Sequence, residues 1–188
     1  MDSSKAAVPR LRTVDLTYIA LFSVLMAVCA WISIPMPKPL VPFTLQTFAV
    51  FSAMTALGGR RGLYAVTVYL LLGAVGLPVF AGFQGGASVL LGSTGGYIIG
   101  FLASAILFWL LTARLGQSLP VTIFACVMGL AVCYAFGTAW FLAVYARTTG
   151  PIGLMTALGW CVFPFVGPDL VKLALAIGLS RRVKQFLK

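Results

Sequence analysis

The chain has 188 residues, 61% of them apolar, with 9% charged residues, a formal charge of +10 and a mean hydropathy of +1.07. A water-soluble domain carries about 45–50% apolar and about 25% charged residues, so an ordinary globular fold is excluded. With no His, no Glu and only Asp2, Asp15 and Asp169 as acids, the chain cannot build a Ser-His-Asp triad, a His-ligated metal site or a glutamate pair, which argues against an enzyme.

Apolar runs fall at about 16–34, 43–57, 63–80, 96–113, 119–146 and 152–180, separated by basic or Pro/Gly-rich breaks. At about 20 residues per span they predict an all-α polytopic membrane protein, a compact bundle of six transmembrane helices forming one domain over 1–188. The run after Arg12 is too long for a cleavable leader and is read as the first span, behind a tail at 1–15. Placing both termini in the cytoplasm puts ten basic residues inside, among them Arg60, Arg61, Arg114, Arg181 and the basic tail 181–188. Only Lys38 and Arg147 then fall outside. The positive charge is therefore an orientation signal that also suits anionic membrane lipid, and no nucleic-acid partner is expected. The four cysteines sit inside apolar runs without C-x-x-C spacing and read as buried thiols.

The first outer segment, 34–47, has four prolines within eight residues, which deny the backbone a helix and predict an extended loop. Thr44, Gln46 and Thr47 follow where the chain re-enters the membrane. Polar side chains there need partners, either neighbouring backbone groups or a ligand. The second outer segment, 76–97, carries seven of the chain's 20 glycines interleaved with aromatic residues. Glycine lets backbone groups approach a small molecule closely, and an apolar stretch of this length reads as a lid or pocket wall rather than a plain connector. Gly92, Gly96, Gly100 and Ser104 recur every four residues, a small-residue stripe suited to close helix packing. The nucleotide-binding pattern G-x-x-x-x-G-K-[ST] is absent from the chain.

Gly167-Pro168-Asp169-Leu170-Val171-Lys172 is the most informative stretch. Pro is best tolerated in a first helical turn, so Pro168 predicts the start of the last helix. Asp169 is then stabilised by the free N–H groups of that helix end, with Lys172 on the same face. Lys172 precedes Arg181 by nine residues, about 13 Å of helix, which puts both charges at membrane depth. Charges at that depth survive in a protein-lined cavity, expected here to open outwards.

Pro42-Phe43-Thr44-Leu45-Gln46-Thr47, Gly76-Leu77-Pro78-Val79-Phe80-Ala81-Gly82, Gly85-Gly86, Leu91-Gly92-Ser93-Thr94-Gly95-Gly96-Tyr97 and Pro168-Asp169-x-x-Lys172 together resemble the BioY-type biotin transporters, the substrate-binding (S) components of energy-coupling factor (ECF) transporters. The resemblance runs from about 16 to 182 with the motifs in order. It implies high-affinity biotin binding and uptake in a bacterial or archaeal cytoplasmic membrane, with biotin as transported substrate and no cofactor. It also implies a coupling membrane subunit and ATP-binding subunits as partners. Asp169 and Lys172 become the polar anchors, and Gly82, Phe83, Gln84, Gly85 and Gly86 the wall and lid, with Gln84 supplying an amide. Asp169 can accept from the ureido N–H groups of biotin; Lys172 either keeps Asp169 ionised or takes the ligand carboxylate. Phe80, Phe83, Tyr97 and Trp160 can cover the apolar rings, beside Thr44 and Gln46. In place of the Ala-x-x-x-Ala docking face of the first helix in such components, this chain offers Ala20-x-x-x-Val24 and Ser23-x-x-x-Ala27. An S component for another vitamin, such as riboflavin or thiamine, shares this architecture, and a small pore or an intramembrane enzyme are the more distant alternatives.

Overall fold

A computed structural model describes residues 12–37 and 41–185. Lys5, Arg10, Lys38 and Lys188, used in the charge count, lie outside the described residues, as does most of the N-terminal tail. The helices are α1 (Thr13–Trp31), α2 (Gln46–Leu57), α3 (Gly59–Ala74), α4 (Ala87–Leu91), α5 (Gly95–Leu115), α6 (Leu119–Thr148), α7 (Leu154–Cys161) and α8 (Phe163–Val183). Among the described residues four of them, α1, α5, α6 and α8, are long and apolar enough to cross a membrane; α2 and α3 are shorter.

Local chemistry sets the boundaries. The Asp15 carboxylate accepts from the Arg12 backbone N–H at 3.0 Å, closing the first turn of α1. Gly58, at φ 85°, ends α2 and begins α3 in a single residue, a left-handed conformation that a side chain would strain. Pro120 lies in the first turn of α6, where its missing N–H costs nothing.

At one end of the bundle, hereafter the lower end, Asp15 pairs with Arg61 at 3.0 Å and joins the starts of α1 and α3. At the opposite, upper end the proline-rich segment forms a small antiparallel hairpin, β1 (Ser33–Ile34) with β2 (Phe43–Thr44), Ser33 facing Thr44. Its described residues form these two short strands and no helix, as prolines require. The glycine-rich segment folds over the same end as a 3₁₀ turn at Ala81–Phe83 followed by α4, and the Gly86 N–H donates to Gly73 O at 2.7 Å.

The most extensive helix pairing is α5 on α6, and the small-residue stripe lets the two approach closely. A Cβ on Gly96 would stand 2.2 Å from Trp140, and one on Gly100 3.2 Å from Cys133. Ser104 Oγ donates to Gly129 O at 2.6 Å, and Trp140 Nε1 to Gly92 O at 3.0 Å. The four cysteines are buried free thiols.

Two expectations are corrected. The last apolar run is two helices broken at Val162, with α8 starting at Phe163 and Pro164 in its first turn. Pro168 therefore lies inside α8, and Asp169 sits beyond the helix end whose free N–H groups were expected to stabilise it. Two nearby prolines compete for the first-turn position, and the upstream one takes it. The second correction concerns docking. Ser23 and Ala27 are buried, and Ser23 Oγ donates to Ala65 O of α3 at 2.9 Å. That face is occupied by the chain's own helix; of the expected docking residues only Ala20, beside the exposed Val24, faces outwards.

Candidate functional site

A cavity of about 770 Å3 opens at the upper end between the hairpin, the glycine-rich segment and helices α5, α6 and α8. At its floor Asp169 and Lys172 lie on one face of α8, three residues apart, with Nζ 2.8 Å from Oδ1. Both are almost fully buried, at 4% and 6% exposure, where an ionised group persists only if its hydrogen bonds are made.

Those bonds come from three elements. Tyr134 of α6 donates its hydroxyl to Asp169 Oδ2 at 2.6 Å. Lys172 donates to Thr44 O in β2 at 2.7 Å, and its ammonium stands 3.8 Å from the centre of the Phe43 ring. Phe43 in turn stacks on Phe165 of α8, with centroids 6.2 Å apart. An ionised carboxylate has about four acceptor positions. Among the described residues protein donors fill two of them at Asp169, leaving acceptor capacity on a group that lines the cavity.

A second acceptor lines the same cavity. Gln46, in the first turn of α2, is buried and lines the cavity. Tyr69 donates to Val79 O at 3.1 Å, so its oxygen accepts from Gln46 Nε2 at 2.7 Å. That chain fixes the amide, and Gln46 Oε1 has no protein partner among the described residues. Further up, Tyr97 shares a hydrogen bond with Thr138 at 2.9 Å, and Phe141 and Tyr145 supply apolar wall, with Phe101 a turn of α5 below Tyr97.

The other sequence candidates divide clearly. Thr44, Phe80, Gly82, Gln84 and Tyr97 line the cavity with Gln46, Asp169 and Lys172. Thr44 also serves locally, its hydroxyl accepting from Gln46 N at 3.3 Å. Phe83 does not line the cavity: it is 64% exposed and stacks on Trp31 at 4.9 Å, while Trp31 Nε1 donates to Pro78 O at 2.8 Å. Trp160 stands behind the wall, edge-on to Tyr145 at 6.0 Å. Gly85 and Gly86 shape the cover from outside the cavity; a Cβ on Gly85 would lie 2.2 Å from Leu77 O, and Gly86 has φ 96°. Tyr134 and Phe43 are functional neighbours that the sequence reading did not select. The only signal for Tyr134 is a hydroxyl in a long apolar helix, which must find a partner.

Fold and site together define a multi-pass helical membrane protein with a polar-floored cavity open at one end of the bundle. The BioY family profile matches residues 3–188, and the chain belongs to the BioY family. The biotin transporter BioY of Thermotoga maritima is 43% identical over 165 residues, 88% of this chain and 92% of that protein. The probable biotin transporter BioY of Pyrococcus horikoshii is 39% identical over 170 residues, 90% of this chain and 96% of its own. Among solved structures, the S-component for biotin from an ECF-type ABC transporter superposes with a TM-score of 0.80 at 27% identity. That match covers 91% of this chain and 90% of the other.

Proposed function

We propose that this chain binds biotin in the upper cavity and serves biotin uptake as the substrate-specific component of an ECF-type transporter. The observation that carries the reading is the pair of acceptors at the floor, the Asp169 carboxylate and the Gln46 amide oxygen, held on two different helices. The ureido ring of biotin has two N–H donors that diverge, so it needs two acceptors in different places. Asp169 takes one and Gln46 Oε1 the other. The thioether ring and valeryl chain are apolar and match the aromatic wall formed by Phe80, Tyr97 and Phe141. A matched ligand completes the hydrogen bonds of a buried polar site, which favours tight binding.

The same reading places six crossing helices in the cytoplasmic membrane of a bacterium or archaeon, with both termini inside. Arg12, Arg60 and Arg61 support that orientation, since the Asp15–Arg61 pair gathers the basic ends of α1 and α3 at the lower end, opposite the cavity. The chain has no nucleotide-binding motif, so concentrative uptake depends on a coupling membrane subunit and ATP-binding subunits.

The test is the identity of the ligand that co-purifies with the chain, read by mass spectrometry, together with titration of the emptied protein with biotin, riboflavin and thiamine. Biotin is expected in both. Saturable binding of another vitamin without biotin binding refutes the assignment. Uptake against a gradient by cells making this chain alone, with no coupling subunit, refutes the partner requirement.

A further inference from the structure

Among the described residues Lys172 is the one cation lining the cavity, so it is the obvious candidate to receive an anionic ligand group. Its surroundings argue otherwise. An ammonium has three N–H directions. One reaches Asp169 Oδ1 at 2.8 Å and a second Thr44 O at 2.7 Å, while the Phe43 ring covers the group at 3.8 Å. Asp169 and Thr44 are 125 residues apart in the chain, on α8 and β2, and this single ammonium joins them.

We propose that Lys172 is a positioning residue that straps the β1–β2 hairpin to Asp169, and that it does not read the ligand carboxylate. The hairpin is a wall of the cavity through Ser33 and Thr44, continued by Pro35, Met36, Val41 and Pro42. Among the described residues it has few bonds of its own: a two-residue ladder and the Leu45 N–H donated to Ile32 O at 3.2 Å. Two-residue strands are too short to hold themselves, so an outside tie decides where this wall stands. Because one ammonium serves both groups, a ligand donor bound at Asp169 and the position of the hairpin are coupled, and the coupling acts equally in both directions. The strap rests on the biotin reading only for the ligand used to probe it; the tie itself is a property of the empty protein.

The experiment has two arms on the full chain in lipid nanodiscs. The first is hydrogen–deuterium exchange of ligand-free protein at 43–46. Lys172→Met is expected to speed exchange there about tenfold or more, while amides in the packed middle of α5 and α6 stay unchanged. Bound biotin slows exchange at 43–46 in the wild type and has little effect in the variant. The second arm compares Kd for biotin and for biotin amide, which lacks the negative charge. A strap predicts that Lys172→Met weakens both by the same factor, roughly 10- to 100-fold, preserving their ratio. Phe43→Leu keeps both hydrogen bonds and guards against a folding failure of the first variant. It should raise exchange at 43–46 a few-fold, again without changing the ratio. Unchanged exchange at 43–46 in Lys172→Met overturns the strap, as does a loss for biotin so much larger than for the amide that their affinities converge. Wild-type protein that binds neither ligand refutes the biotin reading, and the exchange arm alone then decides the strap.

Discussion

Around Asp169 the cavity is fixed by three charge-assisted hydrogen bonds, from Tyr134 to the carboxylate and from Lys172 to the carboxylate and to Thr44 O. The cover between Gly76 and Thr94 holds no ion pair. It is kept in place by backbone bonds, by neutral hydrogen bonds from Trp31, Tyr69 and Trp140 to its carbonyls, by the Phe80 ring seated where Gly73 has no side chain, and by the Trp31–Phe83 stack. Floor bonds are strong and directional, so removing one partner strands a buried charge. Contacts in the cover are individually weak and collectively a matter of shape, so they yield by degrees. A cavity built this way keeps its recognition chemistry rigid and leaves its entrance the softer part, as a site that must admit and release a ligand requires.

The largest effect is expected where the comparison is sharpest. Asp169→Asn keeps the volume, replaces an acceptor oxygen with a donor and leaves Lys172 without its counter-ion. Biotin affinity should fall by about 2–4 kcal/mol, roughly 30- to 1000-fold, measured by calorimetry on folded protein. A folded variant that binds like the wild type would remove Asp169 from the site.

Tyr134→Phe deletes one donor to the same carboxylate and leaves Lys172 in place. The expected cost is about 1.5 kcal/mol in biotin binding, roughly tenfold, with little change in thermal stability because the ion pair remains. Gln46→Leu tests the second acceptor and should weaken biotin by a similar factor; equal loss for an analogue lacking one ureido N–H would show that Oε1 is not its partner.

How much of this could be read beforehand follows the same division. Asp169 and Lys172 stand out in the sequence because two charges in an apolar run must be explained by a cavity or a partner. The same logic flags Thr44 and Gln46. Tyr134 stays hidden because its partner lies 35 residues away, and the seat of Lys172 on Phe43 depends on a contact between α8 and a hairpin far upstream. Periodicity says nothing about such distant meetings. The start of α8 is misjudged because Pro164 and Pro168 both satisfy the local rule, and only packing chooses between them. Ser23 and Ala27 look like an outer face because small residues suit any close helix contact, whether with a partner or with the chain's own α3.

In the cover, Gly85→Val should have an intermediate effect. Its new side chain meets Leu77 O at a distance no Cβ tolerates, so the 3₁₀ turn must shift away from the cavity mouth while the bundle stays folded. Weaker binding with an unchanged melting temperature is the expected signature. Gly86→Val acts through backbone strain instead, since Gly86 holds φ 96° while a Cβ there would make only an ordinary contact, 3.8 Å from Ser88 Oγ. Unchanged affinity in both variants would separate the cover from ligand binding altogether.

The smallest effect on affinity is expected at Phe83, and it carries the most information about release. Phe83 holds φ 57°, a conformation that costs a residue with a Cβ about 1 kcal/mol or more, and what accompanies it is the stack on Trp31 at the end of α1. Phe83 is not among the residues that line the cavity, so Phe83→Ala removes a latch without removing a wall residue. Losing the stack, worth about 0.5–1.5 kcal/mol, should leave the cover open more of the time. Opening that frees both entry and exit raises the association and dissociation rates together. Stopped-flow measurement should therefore show biotin leaving faster, by up to roughly tenfold, while Kd moves by less than the dissociation rate does. Phe83→Gly sharpens the point: it removes the same stack and also the backbone strain, so the turn keeps its shape and only the latch is lost. If Phe83→Gly releases biotin at the wild-type rate while Phe83→Ala does not, the shape of the turn governs release; if both release it faster to the same degree, the Trp31 stack does.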